Sequence, residues 1–246
     1  MMRVTALYRH PIKSHGREAL ERIRLEAGQA MPNDRRWAVA HDSAKADGTK
    51  WAPCANFSRG AKAPQLMAIN AVLDDATDMV TLTHPDRDPI TLHPVRNAGS
   101  LISWVMPLVP QDRALPARVV ELVARGFTDT PFASVSLNNM ASHHAVEALA
   151  QSALSPLRWR GNIWFDGAAA WEEFEWIDRD LRLGSAMLRV KERITRCKAT
   201  TANPETGESD VDTLRALNIL GHQDFGIYVE VTQSGDVALG DQLELL

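Results

Sequence analysis

Cysteine is nearly absent: 246 residues carry two, Cys54 and Cys197. Two thiols are too few for a disulfide framework, and such a chain suits a reducing compartment, so a cytoplasmic protein is expected. No apolar run approaches the ~20 residues that span a bilayer. The opening "MMRVTALYRH" reads as a short alternating strand, not as the apolar core of a secretory leader. No block of lysine and arginine stands out and the net charge is −4, so neither nucleic acid nor a membrane is an expected partner. HExxH, zinc-ligand Cys/His spacing, GxSxG, GxGxxG and GxxxxGK[ST] are all missing. Their absence weakens zinc-enzyme, hydrolase, dinucleotide-binding and P-loop readings.

What is present is mostly strand. "LMAINAVL", Leu66 to Leu73, alternates. In "MVTLTHPDRDPITL", Val80 and Leu82 face Ile90 and Leu92 by pattern across a Pro/Asp turn, a hairpin signal. "LRLGSAMLRV" repeats the arrangement around Gly184-Ser185. Phe225, Ile227, Val229 and Val231 share one face, "QSGD" turns, and two short strands end the chain. Helical spacing is sparse: Leu101, Trp104, Val105 and Leu108; then Val146, Leu149, Ala150 and Ala153, with Ser142 as N-cap; then a short helix near Val211 to Leu217. Many short strands with few helices predict a mainly β (α+β) fold of barrel type. A division at "RNAGS" gives domains 1–98 and 99–246.

Chemistry concentrates in four polar segments. "ITRCKATTANPETGE" sets Cys197 between Arg196 and a run of threonines, ahead of a sharp turn. A thiolate there can be a metal ligand or nucleophile; free cysteines are more often small buried hydrophobes. Cys54, in "KWAPCANFSRG", has no ligand partner at useful spacing and reads as a loop cysteine without a role. "RHPIKSHG" offers Lys13, Ser14 and Gly16, a set able to hold a phosphate by charge, hydroxyl and backbone N–H. "NDRRWAVA" sends Arg35 and Arg36 into a strand, where one of two neighbours faces inward. That arginine needs an anion, either Asp34 or a ligand. "RWRGNIWF" adds Arg158 and Arg160. If these cations converge they form a phosphate pocket.

In this order the segments resemble a MOSC-domain protein with the β-barrel domain that often precedes it. The resemblance rests on "HPIKS" and "LEAGQAMPNDRRWAVAHD" in the first part, and on "RWRGNIWFDG", "LRLGSAMLRV", "TRCKATTANPETG" and the terminal "GDQLEL" in the second. It covers nearly the whole chain and implies a small N-terminal β-barrel followed by a MOSC β-barrel. Proteins with this layout include molybdenum-dependent reductases of amidoximes and other N-hydroxylated compounds. The resemblance makes Cys197 the ligand of molybdenum in a molybdenum–molybdopterin cofactor. It assigns Lys13, Ser14, Arg35, Arg36, Arg160 and Asn162 to gripping the pterin and its phosphate. Thr195 and Arg196 match the stretch lining the metal. It implies a small N-hydroxylated substrate. No cysteine set for an iron–sulfur cluster is present, so electrons are expected from a separate ferredoxin- or cytochrome-type protein with its reductase. Two other functions use the same features: persulfide sulfur carried on Cys197, and a non-catalytic cofactor-binding module. The chain departs from the pattern at His10, where tyrosine is commoner, at Gly161, where proline is usual, and across "KWAPCANFSRGAKAP".

Overall fold

The computed structural model describes residues 1–123 and 125–246. The first strand, β1 (Met2–Arg9), is followed by β2 (Glu18–Leu20), β3 (Arg22–Leu25) and β4 (Trp37–His41). A meander β5 (Asn70–Asp74), β6 (Met79–His84) and β7 (Arg87–Leu92) leads into helix α1 (Ala98–Val105) and β8 (Pro116–Glu121). Then come β9 (Val135–Asn139), α2 (Met140–Ala150), β10 (Ile163–Asp166), β11 (Asp180–Leu183) and β12 (Ala186–Thr195). Helix α3 (Thr213–Ile219), β13 (Asp224–Gln233), β14 (Gly235–Ala238) and β15 (Gln242–Leu245) complete the chain.

Seven strands close a barrel in the order β1-β10-β9-β13-β12-β11-β15 and back to β1, with β2 paired on the outside of β1. Closure follows from side-chain alternation. On β13, Ile227, Val229 and Val231 point to one side, and they meet Leu188 and Val190 of β12, Leu137 of β9, Phe165 of β10 and Leu7 of β1. Each such side chain stabilises the barrel by roughly 1.5–3 kcal/mol when fully buried. Bulges between Val190 and Glu192 and between Arg193 and Thr195 re-aim the end of β12 as it leaves the sheet. That is where Cys197 begins.

The hairpin β6–β7 has the expected register, Val80 opposite Leu92 and Leu82 opposite Ile90. The β11–β12 hairpin turns at Gly184-Ser185 with Leu183 opposite Ala186. Two local expectations fail. Pro64–Ala68 is a 3-10 turn rather than strand, because Pro64 favours a helical start and Leu66, Met67 and Ala68 are all buried without alternation. Asn139, not Ser142, caps α2, its carboxamide accepting from Ala141 N at 2.9 Å. The Ser142 hydroxyl instead donates to the buried Glu173 carboxylate, at 2.8 and 3.0 Å to its two oxygens.

The sequence division after residue 98 falls at the start of α1. That helix packs Leu101, Trp104 and Val105 against Ile69, Val80 and Leu82, and β8 pairs with β4. Beside this second core, 3-10 turn Pro64–Ala68 and the loop before it lean on the end of the barrel that carries Cys197. No helix among the described residues is long and apolar enough to cross a membrane.

Candidate cofactor site at the end of the barrel

Cys197 is exposed, caps the 3-10 turn Lys198–Thr201, and its carbonyl accepts from the Thr200 amide and hydroxyl at 3.2 and 3.1 Å. Its thiol opens onto a cavity of about 310 Å³. From the sequence candidates, Lys13, Ser14, Arg35, Arg160, Asn162, Thr195 and Arg196 line the same cavity. The cations thus converge from four distant segments.

Each is held by identifiable bonds. Lys13 is buried and donates to Phe127 O at 2.7 Å and to Asp129 Oδ1 at 2.5 Å. Arg35 sits in a left-handed turn, φ 53°, pairs with Asp34 and donates to Arg160 O at 3.0 Å. Asn162 locks the barrel wall, accepting from the Ser136 hydroxyl at 2.9 Å and donating to Tyr8 O at 3.2 Å. Arg196 spends its guanidinium on neutral acceptors: Phe225 O at 2.8 Å, Trp159 O at 2.7 Å and Asn138 Oδ1 at 3.0 Å. It lies over the stacked rings of Trp159 and Phe225, whose centroids are 3.9 Å apart. Arg160 donates to Gly16 O at 3.1 Å, while its Nη1 is buried with no protein partner.

Arg36 does not join them. Neither arginine lies in the strand that the sequence pattern suggests: β4 starts at Trp37, and the left-handed turn at Arg35 aims that side chain at the cavity. Arg36 pairs with Asp78 at 2.7 Å and Glu121 at 2.7 Å and covers the Trp37 ring. Its charge is neutralised away from the cavity, so it is removed from the candidate set.

Charge is one-sided around the cavity. Burial, then the neighbouring Arg35 and Arg17, lower the Arg160 pKa to about 9, and burial lowers that of Arg196 to about 10. Their guanidiniums remain charged near neutrality, without a carboxylate in contact among the described residues. Asp129 is half-exposed. Its protein surroundings disfavour the carboxylate, and Lys13, Arg35 and Arg160 more than offset this, holding its pKa at about 2. Burial and the Asp129 charge push the Tyr228 phenol well above its usual range. Its O–H therefore stays protonated beside the cavity.

Residues 1–102 match the MOSC N-terminal beta barrel domain, and residues 125–244 match the MOSC domain. The chain is a MOSC-domain protein. No curated protein matches it. Similar solved structures include the YUAD protein of Bacillus subtilis, 12% identical over 100% of this chain and 96% of that one, TM-score 0.48. YiiM of Geobacillus stearothermophilus is 16% identical over 46% of this chain and 53% of that one, TM-score 0.35. YiiM of Escherichia coli is 15% identical over 46% and 53%, TM-score 0.34. In this MOSC-domain protein, the MOSC part supplies Cys197, Arg160 and Arg196 to the cavity, and the N-terminal part supplies Lys13, Ser14 and Arg35.

Sequence reading missed several wall residues. Asp129, Ser136 and Tyr228 line the cavity, and so do Cys54 and Arg59 from the N-terminal part. Nothing in the local pattern of Asp129 or Tyr228 marks them. Cys54 has no ligand near it in sequence, and the fold brings it to the cavity of Cys197.

Proposed function

We propose that this MOSC-domain protein binds a molybdenum–molybdopterin cofactor and reduces the N–O bond of small N-hydroxylated compounds, amidoximes and hydroxylamines among them. Electrons come from a separate ferredoxin- or cytochrome-type transfer protein. One observation carries the reading: an exposed cysteine shares a cavity with Lys13, Arg35 and Arg160, and a buried Arg160 Nη1 there has no protein partner.

The residues present fit the group. Among the described residues no cluster of three His, Cys, Asp or Glu side chains is able to hold a bare metal ion. A metal at Cys197 must bring most of its own donors, and a dithiolene-bearing pterin does so. The soft Cys197 thiolate would add a further sulfur donor to such a group. Lys13, Ser14, Arg35, Arg160 and Asn162 would hold the pterin and its phosphate, and the spare Arg160 N–H takes the anion its surroundings lack. Thr195 and Arg196, which flank Cys197 on the cavity wall, would line the metal side. When bound, the cofactor supplies reversible two-electron chemistry.

The chain's own residues bind, orient and hold protons. Reduction of R–NHOH to R–NH₂ and water consumes two electrons and two protons. Tyr228 retains its phenolic proton and offers an O–H donor to the cavity. Asp129 stays ionised and fixes Lys13 through their 2.5 Å bond. Arg196, held at each of its three nitrogens by a neutral acceptor, keeps a fixed positive field beside Cys197. A cytoplasmic setting, where thiols stay reduced, suits an exposed free thiol.

The test is turnover. Molybdenum-loaded protein is expected to reduce benzamidoxime with reduced viologen and to be inert with NADH alone. Turnover with NADH alone contradicts the need for a separate electron donor. No turnover with viologen, in protein shown to hold its metal, contradicts the reductase reading. The second reading, persulfide sulfur carried on Cys197, draws on Cys54 lining the same cavity.

A further inference from the structure

Six cationic side chains line the cavity: Lys13, Arg35, Arg59, Arg158, Arg160 and Arg196. Three have carboxylate partners: Lys13 pairs with Asp129, Arg35 with Asp34, and Arg158 with Asp210 at 2.7 Å. Arg196 is held at each of its three nitrogens by a protein carbonyl or a carboxamide. Arg160 has a spare nitrogen, and the proposed phosphate site uses it. Arg59 is left. Among the described residues its guanidinium makes one hydrogen bond, to Cys54 Sγ at 3.1 Å, and no ion pair. A guanidinium carries five N–H donors in a planar fork that matches a carboxylate or a phosphate.

The position of Arg59 matters as much as its spare donors. It follows the 3-10 turn Cys54–Asn56 in the N-terminal part and lines the wall that meets the Cys197 loop. Its neighbour Gly60 is there because a Cβ would meet Met67 Sδ at 2.6 Å and approach the Ala199 Cβ to 3.4 Å. The backbone of Arg59 is therefore packed close to the turn that begins at Cys197. Lys13, Arg35 and Arg160 are tied to one another through Asp34, Asp129 and the Arg160 carbonyl. Arg59 has no bond to that group, which leaves it free to meet a second anion.

We propose that Arg59 is a specificity-determining residue that selects N-hydroxylated substrates bearing a carboxylate or a phosphate. The inference rests on the reductase reading for the identity of the substrate, and on donor counting for the anion. Half-buried and lined by apolar Ala61 and Ala199, the contact is only partly screened by salt.

The experiment measures equilibrium binding to the metal-loaded protein without reductant, so that no turnover occurs. The ligands are benzamidoxime, 4-carboxybenzamidoxime and 4-phosphonobenzamidoxime. The wild-type protein is expected to bind at least one anionic ligand about tenfold more tightly than benzamidoxime, the scale of a charged hydrogen-bonded pair. The two anionic arms distinguish carboxylate from phosphate recognition. Arg59→Gln is expected to erase the preference, and Arg59→Lys to keep part of it, because an ammonium supplies charge without the fork. Equal affinities in the wild type overturn the proposal, as does a preference that survives Arg59→Gln. Loss of molybdenum from Arg59→Gln also overturns it, because Arg59 would then hold the cofactor. An intact, Arg59-dependent preference in a protein that reduces none of the three with viologen supports the anion contact and removes the reductase reading.

Discussion

Two buried histidines lie behind the cavity wall. His10 is enclosed, its amide donating to Asp34 Oδ1 at 2.8 Å and its Nδ1 lying 3.3 Å from the same oxygen. Burial, then the Arg160 and Arg35 charges, push its pKa down to about 3, against the pull of Asp34. His15 is also enclosed, with Nδ1 2.6 Å from Lys13 O, and burial lowers it to about 4. Both folded values lie below the usual 6.5, so the unfolded chain binds these protons more readily. Stability is therefore full above about pH 6.5 and is lost as pH falls toward 4 and 3, by up to ~1.4 kcal/mol per pH unit for each histidine. Denaturant midpoints measured from pH 7 to 5 are expected to fall steadily, and His15→Asn is expected to remove about half of the slope. A midpoint flat across that window contradicts the burial of both rings as neutral imidazoles. The sequence leaves the anion for Arg35 open between Asp34 and a ligand. The structure pairs Arg35 with Asp34, on the wall of the cavity.

Local elements hold Arg196 by a chain of close contacts. Gly161 precedes β10 and Gly226 lies in β13, and the Asn138 carboxamide occupies the space that their side chains would fill. A Cβ at Gly161 would lie 2.1 Å from Asn138 Nδ2, and one at Gly226 would lie 2.5 Å from Asn138 Oδ1. Asn138 in turn accepts from Arg196 and donates to Ile163 O at 3.3 Å. Gly161→Ala is expected to destabilise the protein by roughly 1–3 kcal/mol through overpacking. Asn138→Ala in the same chain should recover part of that loss, because the clash partner is gone. Additive losses in denaturant unfolding of the double variant would place the strain elsewhere. The glycine in "RWRGN" was visible as a departure from the family pattern, and its reason was not: Asn138 lies 23 positions earlier in the chain.

The turn after Cys197 is braced from the other part of the molecule. Buried Arg17 donates to Met67 O at 2.8 Å, Ile69 O at 3.0 Å and Pro204 O at 2.9 Å, tying the 3-10 turn Pro64–Ala68 to "NPETG". Arg17→Met leaves three carbonyls without their donor. It is expected to cost about 1–3 kcal/mol and to expose the 203–208 turn to proteolysis. Protection of that turn equal to wild type would show that the brace is not needed.

At the scale of the whole molecule, the two parts share one barrel. β1, from the start of the chain, pairs with β10 and β15, and Val4 and Leu7 fill the barrel core. A chain of residues 99–246 therefore leaves two barrel edges unpaired and the core short of these side chains. It is expected to aggregate or to unfold without a cooperative transition. A sharp, reversible melt from that fragment would contradict the account of closure. Strand faces and the β6–β7 and β11–β12 hairpins were legible because alternation and turn residues are local. The closing contact between β1 and β15 was not, because some 240 residues separate its partners and no period in the sequence links them. The same holds for the cavity. Each cationic segment was visible alone, but their meeting, and the arrival of Cys54, Arg59, Asp129 and Tyr228 among them, depends on how the barrel closes.

The central claim is that Cys197 anchors a molybdenum cofactor in a cation-lined cavity. Its most direct test is molybdenum and pterin content, measured together in freshly purified wild-type, Cys197→Ala and Cys54→Ala protein from cells supplied with molybdate. Near-equal molar metal and pterin in the wild type and in Cys54→Ala is expected, with metal lost from a still-folded Cys197→Ala. Wild-type metal content in Cys197→Ala, or a wild-type protein free of molybdenum but carrying sulfane sulfur on that cysteine, would contradict it.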